Sequence, residues 1–140
     1  YAVAHALMVP STGATIAGPT AFELAGLAPA DVDLAELYDC YTFTVLVTLE
    51  DYGFCAKGEA GRFVESGATA RGGALPVNTG GGQLSSFYMW GLTPVVEAVI
   101  QLRGDGGDRQ VKGAEVALVS GNGGILATHG CLILGSEHTA

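Results

Sequence analysis

Charge is scarce in this chain of 140 residues, of which 14% are Asp, Glu, Lys or Arg, against about a quarter in an ordinary soluble domain. The strong bases are only Lys57, Arg62, Arg71, Arg103, Arg109 and Lys112, and the formal net charge is -8. A phosphate backbone demands a clustered positive field, so no nucleic-acid partner is expected. Long apolar runs are missing too. The longest, around Phe43 to Leu49 and Val95 to Leu102, fall far short of the about 20 residues that a membrane span requires. No signal-peptide layout opens the chain. A soluble, cytoplasmic protein without a membrane partner is expected. Cysteine is sparse: Cys40, Cys55 and Cys131 show neither the paired spacing of a zinc site nor the density of a disulfide scaffold, and so read as reduced thiols. His5, His129 and His138 have no metal-ligand spacing and no triad can be built from them. No metal is expected.

Glycine is abundant, at 22 residues, and 49% of the chain is hydrophobic. That composition excludes disorder but leaves too little charge to coat a small free-standing domain, so more protein is expected to cover part of the surface. Residues 1–140 fit a single domain, or a fragment of a longer chain, since the first residue is Tyr1 rather than Met.

Hydrophobic patterning gives an element order. Ala2 to Val9 reads as a strand before loop chemistry at Pro10 to Gly13. A short helix follows from Pro19, with Phe22, Leu24, Ala25 and Leu27 turned inward and Gly26 and Pro29 limiting its length. Leu34 to Tyr38 reads as a strand buried on both faces, and Thr42 to Tyr52, apolar nearly all round, as a central helix. Phe54 to Gly73 is a long excursion; Leu75 to Asn78 is strand-like, Thr79 to Ser86 a glycine-rich turn, and Thr93 to Leu102 a helix stopped by Gly104. Glu115 to Val119 and Ile125 to Leu134 read as two strands joined by Ser120 to Gly124. The expected class is α/β: a layered mixed sheet with packed helices and an antiparallel final strand pair.

Chemistry in such sheets gathers in loops beyond strand ends, and three loops qualify. The run Tyr38-Asp39-Cys40-Tyr41 places ionisable groups at a strand-to-helix transition. Structural roles are open for each: a half-buried ring with a satisfied hydroxyl for Tyr38, a cap of the following helix for Asp39, a small core residue for Cys40. The run Asn78-Thr79-Gly80-Gly81-Gly82-Gln83-Leu84-Ser85-Ser86 lacks the Gly-Lys-Ser/Thr ending of a phosphate loop. Its glycines permit close backbone approach to a ligand or a facing loop, or simply make a turn. The third loop is Ser120 to Gly124.

Taken together, these motifs resemble the carboxyl-terminal half of the thiolase superfamily, in its sterol-carrier and lipid-transfer-protein branch, over roughly Pro19 to Leu134. Leu34-Ala35-Glu36-Leu37-Tyr38-Asp39-Cys40-Tyr41 is similar to that branch's His-Asp-Cys-Phe motif, with Tyr38 where the branch has His. Val77 to Ser85 resembles its Asn-Pro-Ser-Gly-Gly segment, and Tyr88 falls where a Gly-His-Pro histidine is expected. Val119 to Gly124 resembles the final Cys-x-Gly-Gly-Gly turn, with Ser120 at the place of the catalytic Cys. Without that Cys, Claisen condensation is not expected, and the two tyrosines are similar to those of thiolase-like steroid aldolases.

The resemblance implies retro-aldol cleavage of a β-hydroxyacyl-CoA, such as a steroid side-chain thioester, with Tyr38 and Tyr88 as acid and base in an order left open. It implies Asp39, Cys40, Asn78, Gly81, Gly82, Ser120, Asn122 and Gly123 as pocket-lining or supporting residues, and no cofactor, CoA being part of the substrate. It also implies a homodimer and a small partner with a zinc-ribbon and OB-fold. A non-catalytic subunit that binds acyl-CoA or scaffolds a partner is the alternative, and a truncated thiolase a third. The first two differ in whether the hydroxyls of Tyr38 and Tyr88 converge.

Overall fold

The computed structural model describes residues 11–124 and 126–139; the strand expected at Ala2 to Val9 lies outside them. Strand β1 is Leu34–Leu37, β2 is Val116–Gly123 and β3 is Thr128–Gly135. They form one mixed sheet in the order β1-β2-β3, with β1 parallel and β3 antiparallel to β2. Asp33 sets the register, its carboxylate accepting the N–H groups of Glu115 and Val116 at 2.8 Å each. On its other edge β1 meets the expected Leu75–Asn78 strand only as a single bridge, Ala35 to Val77.

Five helices are described: α1 Ala14–Ala25, α2 Thr42–Asp51, α3 Ala60–Glu65, α4 Gly82–Ser85 and α5 Leu92–Leu102. Strand alternation splits the core into two layers. Ala35, Leu37, Val116 and Leu118 pack with Ala14, Phe22, Leu49 and Tyr52 on the face covered by α1 and α2. Leu34, Ala117 and Val119 pack with Ala98 of α5 on the other. Each fully buried Leu contributes about 1.5–3 kcal/mol, so the sheet is clamped from both sides and its C-terminal edge has a fixed place.

Several expectations are corrected. Helix α1 begins at Ala14, with Pro19 inside it, and Leu24 is 85% exposed rather than inward; the inward stripe is instead Ala14, Gly18 and Phe22. Gly18 is needed there because a Cβ would collide with the Tyr52 ring. Helix α2 turns Thr44, Thr48, Leu49 and Asp51 inward, the threonine hydroxyls being satisfied by backbone carbonyls of Tyr41 and Thr44; Phe43 is left outside. The long excursion contains α3, and the glycine-rich turn contains α4. Ser120 to Gly123 belong to β2 rather than to the turn, because they pair with Cys131, Gly130, His129 and Thr128.

Candidate active site

Tyr38 follows the last residue of β1, and its backbone is held on both sides. Its N–H donates to the Ser120 carbonyl at 3.0 Å, and its carbonyl accepts from Asn122 Nδ2 at 3.2 Å. With the main chain fixed, the ring reaches the loop before α5, where its hydroxyl lies 2.9 Å from that of Tyr88. The two hydroxyls thus converge across 50 residues of sequence. The bond to Tyr88, aided by burial, pushes the Tyr38 phenol up to about 12. The ring of Tyr88 leans on Trp90, centroids 5.9 Å apart at 33°.

The Asn78–Ser86 segment meets β1 through carboxylates. Asp39, 5% exposed, accepts the N–H groups of Gln83 at 2.8 Å and Leu84 at 3.4 Å. It therefore caps α4 and not the following helix, whose N-terminal Tyr41 makes no side-chain cap. A carboxylate suits the positive end of a helix turn. Gly82, at φ +61°, leaves the space that Asp39 fills; a Cβ there would run into the carboxylate. Gly81, at φ +97°, makes the left-handed entry to the turn. Asn78 is left-handed too, at φ +50°, and its Oδ1 accepts the Leu37 N–H at 2.7 Å, so it fastens the loop to the strand end.

Beneath this loop runs a buried polar chain. Glu36 Oε1 accepts the Thr79 N–H at 3.0 Å and lies 2.8 Å from Thr79 Oγ1, which is also 2.8 Å from Glu97 Oε1. Arg109 grips both Glu97 oxygens at 2.9 and 3.0 Å. Burial pushes Glu36 up to about 7, Thr79 opposing it. Burial also acts to raise Glu97, but the bonds from Arg109, Gln101 and Thr79 prevail and hold it below the usual carboxylate range. One hydroxyl proton cannot serve two carboxylates. A protonated Glu36 donating to Thr79, which donates to Glu97, completes the chain.

Other candidate residues divide. Cys40 Sγ sits 3.8 Å from Asn122 Oδ1 and 3.9 Å from Thr44 Oγ1, beside the Tyr38 main chain. Gly123 and Asn122 line a cavity of about 390 Å³ together with Tyr38, Trp90 and His129. Ser120 does not reach it: the residue is 1% exposed, and its Oγ bonds the Tyr52 hydroxyl at 2.8 Å inside the core. Its support for Tyr38 is through the backbone carbonyl alone. A larger cavity, about 650 Å³, lies between the end of α5 and the end of β3, lined by Gln101, Lys112 and His138, and contains neither tyrosine. Sequence reasoning missed Tyr52, Gln83 and Thr93. Gln83 Nε2 donates to the Trp90 carbonyl at 2.6 Å; Gln83 stood within the glycine-rich segment, but only its fold over Asp39 reveals the role.

A sheet clamped between helices, with a glycine-rich loop and a glycine-rich strand end meeting at the end of β1, defines the class of domain. The family described as thiolase C-terminal domain-like matches residues 2–136, and the chain belongs to that family. Among relatives, it is 42% identical over 119 residues to an acetyl-CoA acetyltransferase of Methanothermobacter thermautotrophicus, covering 81% of this chain and 31% of that protein. It is 49% identical over 110 residues to the 17-hydroxy-3-oxo-4-pregnene-20-carboxyl-CoA lyase of Mycobacterium tuberculosis, covering 79% and 28%. The solved Ltp2-ChsH2(DUF35) aldolase superposes with a TM-score of 0.82 at 40% identity, covering 89% of this chain and 32% of that one. The chain thus spans about a third of the length of the proteins it matches.

Proposed function

We propose that this domain contributes the acid/base pair of a thiolase-like aldolase that cleaves a β-hydroxyacyl-CoA, of steroid side-chain type, into a ketone and a shortened acyl-CoA. The carrying observation is the 2.9 Å approach of the Tyr38 and Tyr88 hydroxyls. A retro-aldol step removes the β-hydroxyl proton, breaks the Cα–Cβ bond, forms the ketone carbonyl and leaves a thioester enolate that takes up a proton at Cα. Two phenols suffice for both transfers. Across their 2.9 Å bond they act as a relay, in either order: one phenol takes the β-hydroxyl proton while passing its own to the other, which gives its proton to Cα, so both phenols end as they began.

The lyase of Mycobacterium tuberculosis and the Ltp2-ChsH2(DUF35) aldolase support this reading by name and likeness. The acetyltransferase relative raises the rival condensation chemistry, but Ser120 stands at the place of the thiolase Cys and is sealed behind Tyr52. A non-catalytic binding subunit has no need for converging phenols. By the same family likeness, the whole protein acts as a homodimer with a small zinc-ribbon and OB-fold partner, in a reducing cytoplasm where Cys40, Cys55 and Cys131 stay free thiols. Among the described residues, no helix is long and apolar enough to cross a membrane.

The test incubates the complete protein and its partner with a β-hydroxyacyl-CoA bearing a tertiary alcohol on a steroid-like ring. Mass spectrometry should show ketone and shortened acyl-CoA in equal amounts. Bound but uncleaved thioester would favour the non-catalytic subunit.

A further inference from the structure

Tyr88 stands on a loop with little to hold it. Phe87, Tyr88 and Trp90 are at least half exposed, and Trp90 has φ +53°, a left-handed conformation that a bulky residue keeps only when its surroundings impose it. Behind the loop lies Thr93, 4% exposed at the start of α5. Its Oγ1 accepts the Met89 N–H at 2.9 Å and donates to the Phe87 carbonyl at 3.2 Å. The Phe87 carbonyl belongs to the peptide unit before Tyr88, and the Met89 N–H to the unit after it. One buried hydroxyl therefore pins both peptide planes that flank the Tyr88 Cα, using its single proton and a lone pair. Further along, the Trp90 carbonyl accepts from Gln83 Nε2 at 2.6 Å, and Gln83 is itself held through its N–H by Asp39. The loop is thus tied from behind by α5 and from the side by the residue next to Tyr38.

We infer that Thr93 is the positioning residue for Tyr88: its hydroxyl, through the two flanking peptide groups, sets the phenol at bonding distance from Tyr38. This rests on the aldolase reading for its effect on rate, but not for its effect on geometry. Thr93 reaches Tyr88 only through the backbone on either side of it.

The experiment compares Thr93→Val, which keeps the shape and removes the hydroxyl, with Thr93→Ser, which keeps the hydroxyl, in the complete protein. Tyrosines labelled with carbon-13 at Cζ report phenol hydrogen bonding at neutral pH, Tyr38 being assigned by its loss in Tyr38→Phe. The Tyr38 resonance of Thr93→Val should move to the position it takes in Tyr88→Phe. Its kcat should fall about 100-fold with KM within about threefold, the size expected of a small displacement of a reacting group. Thr93→Ser should restore both. If Thr93→Val does not fold, Thr93→Ala is read in the same way. A folded variant without the hydroxyl whose Tyr38 resonance stays at the wild-type position would overturn the inference. A resonance that moves in a protein unable to cleave any β-hydroxyacyl thioester would refute the aldolase reading and leave the positioning role standing.

Discussion

Two hydroxyl pairs have almost the same bond length, 2.9 Å for Tyr38 with Tyr88 and 2.8 Å for Tyr52 with Ser120. Their surroundings are opposite. The first pair is open to solvent, Tyr38 lining a cavity and Tyr88 58% exposed, and the Tyr38 proton is held tightly chiefly because another phenol is bound to it. The second is sealed in the core, and Tyr52 is raised chiefly by burial. A short hydroxyl–hydroxyl bond is therefore not by itself a catalytic sign. What separates the pairs is access: one is open to solvent, whereas the other is buried and holds α2 to the sheet. Ser120 serves both regions, its side chain bonded to Tyr52 in the core while its carbonyl accepts the Tyr38 N–H.

The contrast breaks first at the exposed pair. Tyr38→Phe and Tyr88→Phe should each lower turnover by about 100- to 10,000-fold, the usual span for a lost acid or base, with thermal melting hardly changed. Rate assays and calorimetry on the same samples check both halves of that statement.

A buried titrating group gives the next largest effect. Glu36, 1% exposed, titrates at about 7 in the folded protein, whereas an unfolded Glu titrates at about 4.3. Between these values the folded state holds a proton that the unfolded chain has lost, so stability falls as pH rises through that window, by about 4 kcal/mol in all. In Glu36→Gln the slope of denaturation midpoint against pH should flatten there; an unchanged slope would place the titration elsewhere.

Tyr52→Phe sharpens the comparison from the structural side. It leaves Ser120 Oγ buried without its partner, a loss of about 1–3 kcal/mol, readable by urea denaturation, while the rate per folded molecule should stay within about threefold. At the small end lies Arg62, which pairs with Glu59 at 3.2 Å on the open surface of α3. Arg62→Ala should change stability by less than about 0.5 kcal/mol and activity not at all, which shows that exposure alone confers no role.

The fold was legible where local chemistry agrees with packing. Leu34–Leu37, Thr42–Asp51 and Leu92–Leu102 lie within a residue or so of where hydrophobic runs put them. The start of α1 was missed because Pro19 resembles a first-turn proline, yet tight packing of Gly18 on Tyr52 carries the helix past it. The glycines of β2 resembled a turn because the pairing that makes them a strand is made with residues several positions onward in β3. The tyrosines could be picked out by motif, but their meeting could not be read from spacing. Capping the following helix was one role open to Asp39, which instead caps α4, 44 residues away. Such bonds depend on two loops arriving at one place, which no local pattern encodes.

The most direct test of the central claim sets Tyr88→Phe beside Tyr52→Phe in single-turnover cleavage of a steroid-type β-hydroxyacyl-CoA, following ketone release by mass spectrometry. The account predicts release slowed at least about 100-fold in Tyr88→Phe and near the wild-type rate in Tyr52→Phe. Equal rates in the two variants would contradict it.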